Sequence, residues 1–342
     1  MKSRNKSGSL LLKITRSTLP FILVAAAFFV IYPHLVREWP GIISALKESD
    51  KILLIVLLFA QSSIYLFDGT LAYTLLSILE RRVRWAHAIR IAILAAISGK
   101  ILPVVGNTVT TYFLYGKLDV KLREVLFIVF SWNILYAANF MLFFGLALFF
   151  APADFIKTVH AFGFWTAISV FFGIVALLVF LLIKKGKNLI RISKFISGIF
   201  GVDINTEDIA KFMNDFYDDI RILSSKKSLT LRALALSCLY YLSSVLILYF
   251  SFFVFHYYPS FTSVILGFGF STILALVTFV PEVPGVTEAS MSLVFVTLGY
   301  PAHIAVLTSI LYRLVSYWVL LPLGAHSYYR LNKEYGIKKR RK

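Results

Sequence analysis

The sequence predicts an all-α polytopic membrane protein with about six full spans and two broken, re-entrant helical hairpins in an inverted-topology repeat. Three observations predict it. Of 342 residues, 59% are hydrophobic and 15% charged, with a mean hydropathy of +0.80, a balance that belongs to membrane-embedded chains. Two apolar segments are interrupted by proline and glycine. The basic residues also gather in alternate connecting segments.

Residues 1–18 are basic (Lys2, Arg4, Lys6, Lys13, Arg16) and precede an apolar run over 19–36. No small-x-small cleavage site follows it, so the run is expected to remain as a first span. Residues 37–51 read as a mixed-charge loop, and a second span covers about 52–79 with Gln61 and Asp68 inside it. The stretch ERRVRWAHAIR (80–90) is basic and interfacial. The apolar segment after it breaks at Pro103–Gly106. At 1.5 Å per residue its second arm, 107–116, reaches only about 15 Å, too short for a hydrocarbon core of ~30 Å. A hairpin returning to its own side fits.

Further spans are expected at about 124–150 and 162–183. Residues 184–228 form a soluble connector, with an amphipathic surface helix from Thr206 through Phe212, Phe216 and Leu223. A span at about 230–256 precedes the second broken segment, 261–299, interrupted at Pro281–Gly285. Its arms are long enough to cross the core. The last span is about 302–325 and the tail 326–342 is basic. The first repeat half is then 52–150 and the second 229–325, within a single membrane domain, 1–342.

The net charge of +18 follows from topology. All but six of the 35 Lys and Arg fall in 1–18, 80–90, 116–124, 184–232 and 326–342. Of the six, Arg37, Lys47, Lys51 and Lys157 lie on the opposite side, and Lys100 and Arg313 lie in the membrane. The positive-inside rule then puts both termini in the cytoplasm of a multi-pass cell-membrane protein. It also accounts for the charge without nucleic acid. This parity makes the first hairpin cytoplasmic and the second external, an arrangement found in transporters.

Polar groups are costly in hydrocarbon and mark sites. In the first hairpin the second arm begins at the break. Its free N–H groups and dipole, with Asn107, Thr108, Thr110 and Thr111, form a candidate anion site beside Lys100. Lys100 as a neutraliser of orphan carbonyls, and Asn107 as a helix cap, is the alternative. In the second hairpin Pro284 starts a helix with Glu288 in its first turn. Glu288 and Arg313 are expected to pair, either as a gate or coupling element or as a structural pin. Glu282 and Asp68 are lesser gating candidates, with a satisfied interhelical hydrogen bond the favoured role for Asp68, and Asn133 and Asn139 are expected to make interhelical contacts. The lone Cys238 has no intrachain disulfide partner. No metal-ligand spacing, nucleotide-binding loop or hydrolase motif occurs in the sequence. No cofactor, metal or enzymatic activity is expected.

The stretch Phe279–Gly324 resembles the flippase-like family that includes the transmembrane domain of lysylphosphatidylglycerol synthases. Pro281, Pro284, Gly285-Val286-Thr287-Glu288-Ala289, Leu298-Gly299, Arg313-Leu314, Tyr317-Trp318, Pro322 and Gly324 match that family's second motif in order. Extra glycines of the motif are missing. In the first motif Pro103 and Gly106 fit, Asn107 stands where an acid is usual, and threonines replace an arginine. The resemblance implies an ATP-independent translocase of polar-headed, anionic lipids with phosphate-bearing head groups. Such a head group would be held by Lys100, Asn107, Thr108, Thr111 and Arg313. With no soluble aminoacyl-transferase domain in the sequence, transfer chemistry is not expected. A secondary transporter of a small anionic solute and an accessory membrane protein of lipid or glycan synthesis are the alternatives.

Overall fold

The computed structural model describes residues 39–101, 106–153, 155–157, 173, 222, 225–277 and 286–335. The expected spans at 19–36 and 162–183, the surface helix at 206–223 apart from Ile222, and the end of the tail fall outside them. So do Pro103, Pro281, Glu282, Pro284 and Gly285.

Every described element is helical: α1 (Trp39–Glu48), α2 (Lys51–Ile78), α3 (Trp85–Ile101), α4 (Gly106–Gly116), α5 (Leu122–Phe149), α6 (Lys227–Phe253), α7 (Phe261–Val277), α8 (Val286–Thr297) and α9 (Ala302–Tyr335). Four of these, α2, α5, α6 and α9, are long and apolar enough to cross a membrane. This is a multi-pass membrane protein. The order long helix, short pair, long helix occurs twice, in α2–α5 and in α6–α9.

Three boundaries differ from expectation. Residues 39–48 are helical where a loop was expected, because Pro40 suits a first turn and the Ser44 hydroxyl donates to Glu48 Oε1 at 3.0 Å. Asp50 then caps α2, its Oδ1 accepting from the Ile52 and Leu53 amides at 2.9 and 3.0 Å. The last helix continues to Tyr335, ten residues beyond the apolar stretch, since Tyr328–Tyr335 keeps a buried stripe at Leu331. The arms of the second hairpin have 17 and 12 residues. The described part of the second arm is shorter than the ~20 residues that a crossing helix needs.

Helix ends repeat a single device. Glu80, Asp119, His256 and Gly299 have φ of 59°, 58°, 55° and 88°. In each case the next amide bonds back to the carbonyl five residues earlier. These are Arg81 to Leu76 (2.9 Å), Val120 to Tyr115 (3.2 Å), Tyr257 to Phe252 (3.2 Å) and Tyr300 to Phe295 (3.1 Å). This is the Schellman closure, which satisfies orphan carbonyls and turns the chain sharply. It ends the helix before each hairpin and the second arm of each hairpin.

The residues form two compact units. The first draws on Met1–Ser62, Phe140–Gly163 and Ser243–Val319. Here α7 packs through glycine. A Cβ on Gly267 would lie 2.5 Å from the ring of Phe295 in α8, and one on Gly269 would collide with Phe144 of α5. Phe144 also stacks on Phe140 and meets Phe270 edge-on, both at 5.2 Å. The second unit draws on Ser63–Asn139, Phe164–Leu242 and Leu320–Lys342. Its core holds Leu75, Leu76, Ile78, Ile91, Tyr115, Val125, Phe127 and Leu331. Gly69 lets α2 approach the backbone of α3 at Ile89, and Gly324 of α9 receives Ile97.

Candidate functional site

In the first unit α8 starts at Val286 and carries Glu288 in its first turn, where a carboxylate favours the positive end of the helix dipole. Arg313 reaches it from the middle of α9, with Nε 3.3 Å from Oε1. The two side chains are 11% and 16% exposed, Arg313 first. The contact is ionic rather than a formed hydrogen bond, since Nε has no acceptor in bonding geometry. Ser292 of α8 donates to the Glu288 carbonyl at 2.7 Å and reaches the Ala305 carbonyl of α9 at 3.3 Å. Small hydroxylated residues thus bring the two helices close, as is common in lipid. The hydroxyls of Thr287 and Thr308 are buried without a hydrogen-bond partner among the described residues. One turn-spaced stripe of α9, Ile310, Leu314 and Trp318, is exposed. Arg313 adjoins that stripe.

In the second unit Lys100 occupies the last turn of α3, and Asn107 and Thr108 the first turn of α4. The arms are joined by a 2.6 Å bond from Thr110 to Ser98. A Cβ on Gly99 would rest 3.5 Å from that of Asn107. Lys100 and Thr108 are half-buried, Asn107 is exposed and Thr111 is buried. The Asn107 side-chain oxygen accepts from Thr111 at 3.2 Å, so it points along its own helix.

Asp68, half-buried in α2, accepts a hydrogen bond from Trp132 of α5. Trp132 in turn stacks on Tyr136 at 5.3 Å and meets Tyr240 edge-on at 5.5 Å. That arrangement is an interhelical brace. Asn139 bridges α5 and α6 by donating to Ser237 at 2.8 Å. Asn133, expected to do likewise, bonds the Val129 carbonyl of its own helix at 2.6 Å. Among the described residues no group of three His, Cys, Asp or Glu side chains is placed to hold a metal.

A multi-pass chain with two interrupted apolar hairpins and an intramembrane Glu–Arg pair invites comparison with lipid-handling membrane families. Residues 10–324 match the family described as the lysylphosphatidylglycerol synthase TM region. The chain belongs to that family. No curated protein matches it.

Within this family member the structure adds a polar network that the sequence did not signal. Arg81 contacts Glu124 Oε1 through Nη2 at 2.6 Å and Nε at 2.8 Å. Glu124 Oε2 accepts the Lys121 amide at 2.9 Å, so one nearly buried carboxylate ties the end of α2 to the start of α5. Lys226 holds Glu80 at 2.7 Å and the Ile78 carbonyl at 3.0 Å. The Lys226 hydrogen bond lowers the Glu80 pKa below its ordinary value. Glu334, near the end of α9, accepts from Arg90 at 3.0 Å and from His87 Nε2. With Nε2 protonated, His87 Nδ1 accepts from the Tyr335 hydroxyl at 3.3 Å. These partners are 247 and 248 residues apart, and no local pattern links them.

Proposed function

We propose that this protein translocates polar-headed, anionic lipids with phosphate-bearing head groups between the leaflets of the cell membrane, without ATP and without catalysing a chemical transformation. The observation that carries the reading is the Glu288–Arg313 pair, set next to the exposed apolar stripe Ile310–Leu314–Trp318. A charged pair in hydrocarbon is costly, and one enclosed for stability alone gains little over apolar packing. A pair adjoining a lipid-facing stripe has a use when the substrate itself is a lipid: the guanidinium attracts a phosphate while the acyl chains stay outside. An enclosed solute cavity would not need that placement.

Family membership supports the lipid assignment. Lys100, Asn107, Thr108 and Thr111 at the other hairpin are the proposed second set of head-group contacts, and Glu288, with Asp68 and Glu282, the proposed gating or coupling set. The repeated order of elements and the matching Schellman closures favour two related halves. The charge bias favours opposite orientations, with both termini cytoplasmic. Movement would be downhill or ion-coupled.

The test is leaflet accessibility. Purified protein in liposomes containing head-group-accessible fluorescent phosphatidylglycerol is treated with an impermeant quencher. Inner-leaflet label becoming accessible in wild type but not in Arg313→Ala supports the proposal. Label that stays protected with folded wild-type protein, across phosphatidylglycerol and polyprenyl phosphate alike, overturns it.

A further inference from the structure

Beyond the proposed translocation site, the second unit contains a cavity of about 410 Å³ at the start of α3, lined by Arg82, Arg84, His87, Leu118, Glu334 and Tyr335 among others. Its size falls within the roughly 300–1,000 Å³ of ligand pockets. We propose that this cavity is a separate binding site for a phosphate-bearing anion at the membrane surface.

The charges of the lining decide its sign. Of the three arginines that precede α3, Arg81 is committed to Glu124. The side chains of Arg82 and Arg84 are exposed and make no ion pair or hydrogen bond with a described residue. The one carboxylate in the wall, Glu334, is already matched by Arg90 at 3.0 Å. Among the described residues the lining therefore keeps two positive charges without a counter-charge. The N-terminus of α3, a 17-residue helix, adds its dipole in the same sense.

The floor is built rather than accidental. His87 is only 3% exposed and is fixed on both ring nitrogens, by Glu334 and by Tyr335. Tyr335 also meets its ring edge-on at 5.3 Å. The end of α9 is thereby clasped to α3.

Depth is set by Trp85, next to Arg84. Its ring is half-exposed while Nε1 donates to Thr70 at 2.9 Å. An anchored, half-exposed indole is characteristic of head-group depth. On the side that the charge bias assigns to the cytoplasm, basic pockets between helices suit anionic head groups. A soluble phosphate compound would present the same chemistry.

The full-length protein would be reconstituted in nanodiscs of phosphatidylglycerol and phosphatidylcholine, and the lipids it retains counted by native mass spectrometry. Wild type should retain phosphatidylglycerol preferentially. Arg82→Gln/Arg84→Gln should cut that preference on the order of 25-fold, roughly fivefold per arginine. Lys121→Gln/Lys227→Gln, which removes equal charge from exposed positions outside the cavity, should change it less than about twofold. In a second arm, inorganic phosphate is added to protein in neutral detergent and the unfolding temperature measured. A rise in wild type that Arg82→Gln/Arg84→Gln abolishes, without lipid preference, assigns the site to a soluble phosphate compound. Equal losses in the two double variants overturn the proposal. So does indifference of Arg82→Gln/Arg84→Gln in both arms. Both arginines are exposed, so the variants should fold, and neither readout requires lipid translocation.

Discussion

Removing one partner of the Glu288–Arg313 pair separates a gate from a pin. At 3.3 Å and an effective dielectric of about 20, the attraction amounts to about 5 kcal/mol before desolvation. Deleting either charge strands the other in a poorly hydrated place, and such losses run to about 3–5 kcal/mol. Glu288→Gln leaves a guanidinium without its counter-charge, and Arg313→Ala leaves a carboxylate without its own. Each single variant should therefore unfold at a clearly lower temperature in nanodiscs. The double variant Glu288→Gln/Arg313→Met removes both charges and keeps the volume, so it should recover most of the lost stability. Translocation should not recover with it, because the head-group cation and its carboxylate partner are both gone. Thermal unfolding and the leaflet-accessibility assay on the same four preparations give the answer. A double variant that regains both stability and wild-type translocation would show the pair to be structural and refute the reasoning.

Four further outcomes follow from local geometry. Gly69→Ala drives a methyl group into the α3 backbone at Ile89 and should cost about 1–3 kcal/mol. Gly145→Ala, with open space around it, should be neutral or gain up to ~1 kcal/mol of helix propensity, and thermal unfolding distinguishes the two. Asp50→Ala removes both capping bonds at the start of α2 and should cost about 1 kcal/mol, visible as faster amide exchange at Ile52 and Leu53. Glu80 has a folded pKa below 4.5, so its pairing with Lys226 contributes fully above the unfolded value and fades as pH falls through the folded one. Wild type should lose more stability than Glu80→Gln when the pH is lowered below about 4.5. Equal acid sensitivity would contradict the assignment.

How much of this was legible in the sequence depends on what enforces each feature. The lipid core demands long apolar windows, so α2, α5 and α6 begin and end within about three residues of where hydropathy puts them. Proline and glycine cannot continue a helix cheaply, so α3 and α4, and likewise α7 and α8, were legible as separate helices. Glu288 and Arg313 stood out because the membrane tolerates few charges, and the structure pairs them. Helix α1 was hidden because ten mixed residues carry no span signal, although Asp50 as a cap was readable beside it. The cavity at Arg82 and Arg84 was hidden for a different reason. Its wall closes only when Glu334 and Tyr335 return from the far end of the chain. The basic stretch 80–90 was visible as interfacial charge, but not which arginines it leaves uncommitted. Glycine contacts such as Gly269 against Phe144 depend on helix rotation, which hydropathy does not encode.

The central claim is lipid translocation, and the most direct measurement is quencher access to fluorescent phosphatidylglycerol in liposomes carrying purified wild-type protein and no nucleotide. The account predicts that label in the inner leaflet becomes accessible over time with wild type and remains protected with Arg313→Ala that is still folded. Inner-leaflet label that stays protected in the presence of folded wild-type protein would contradict it.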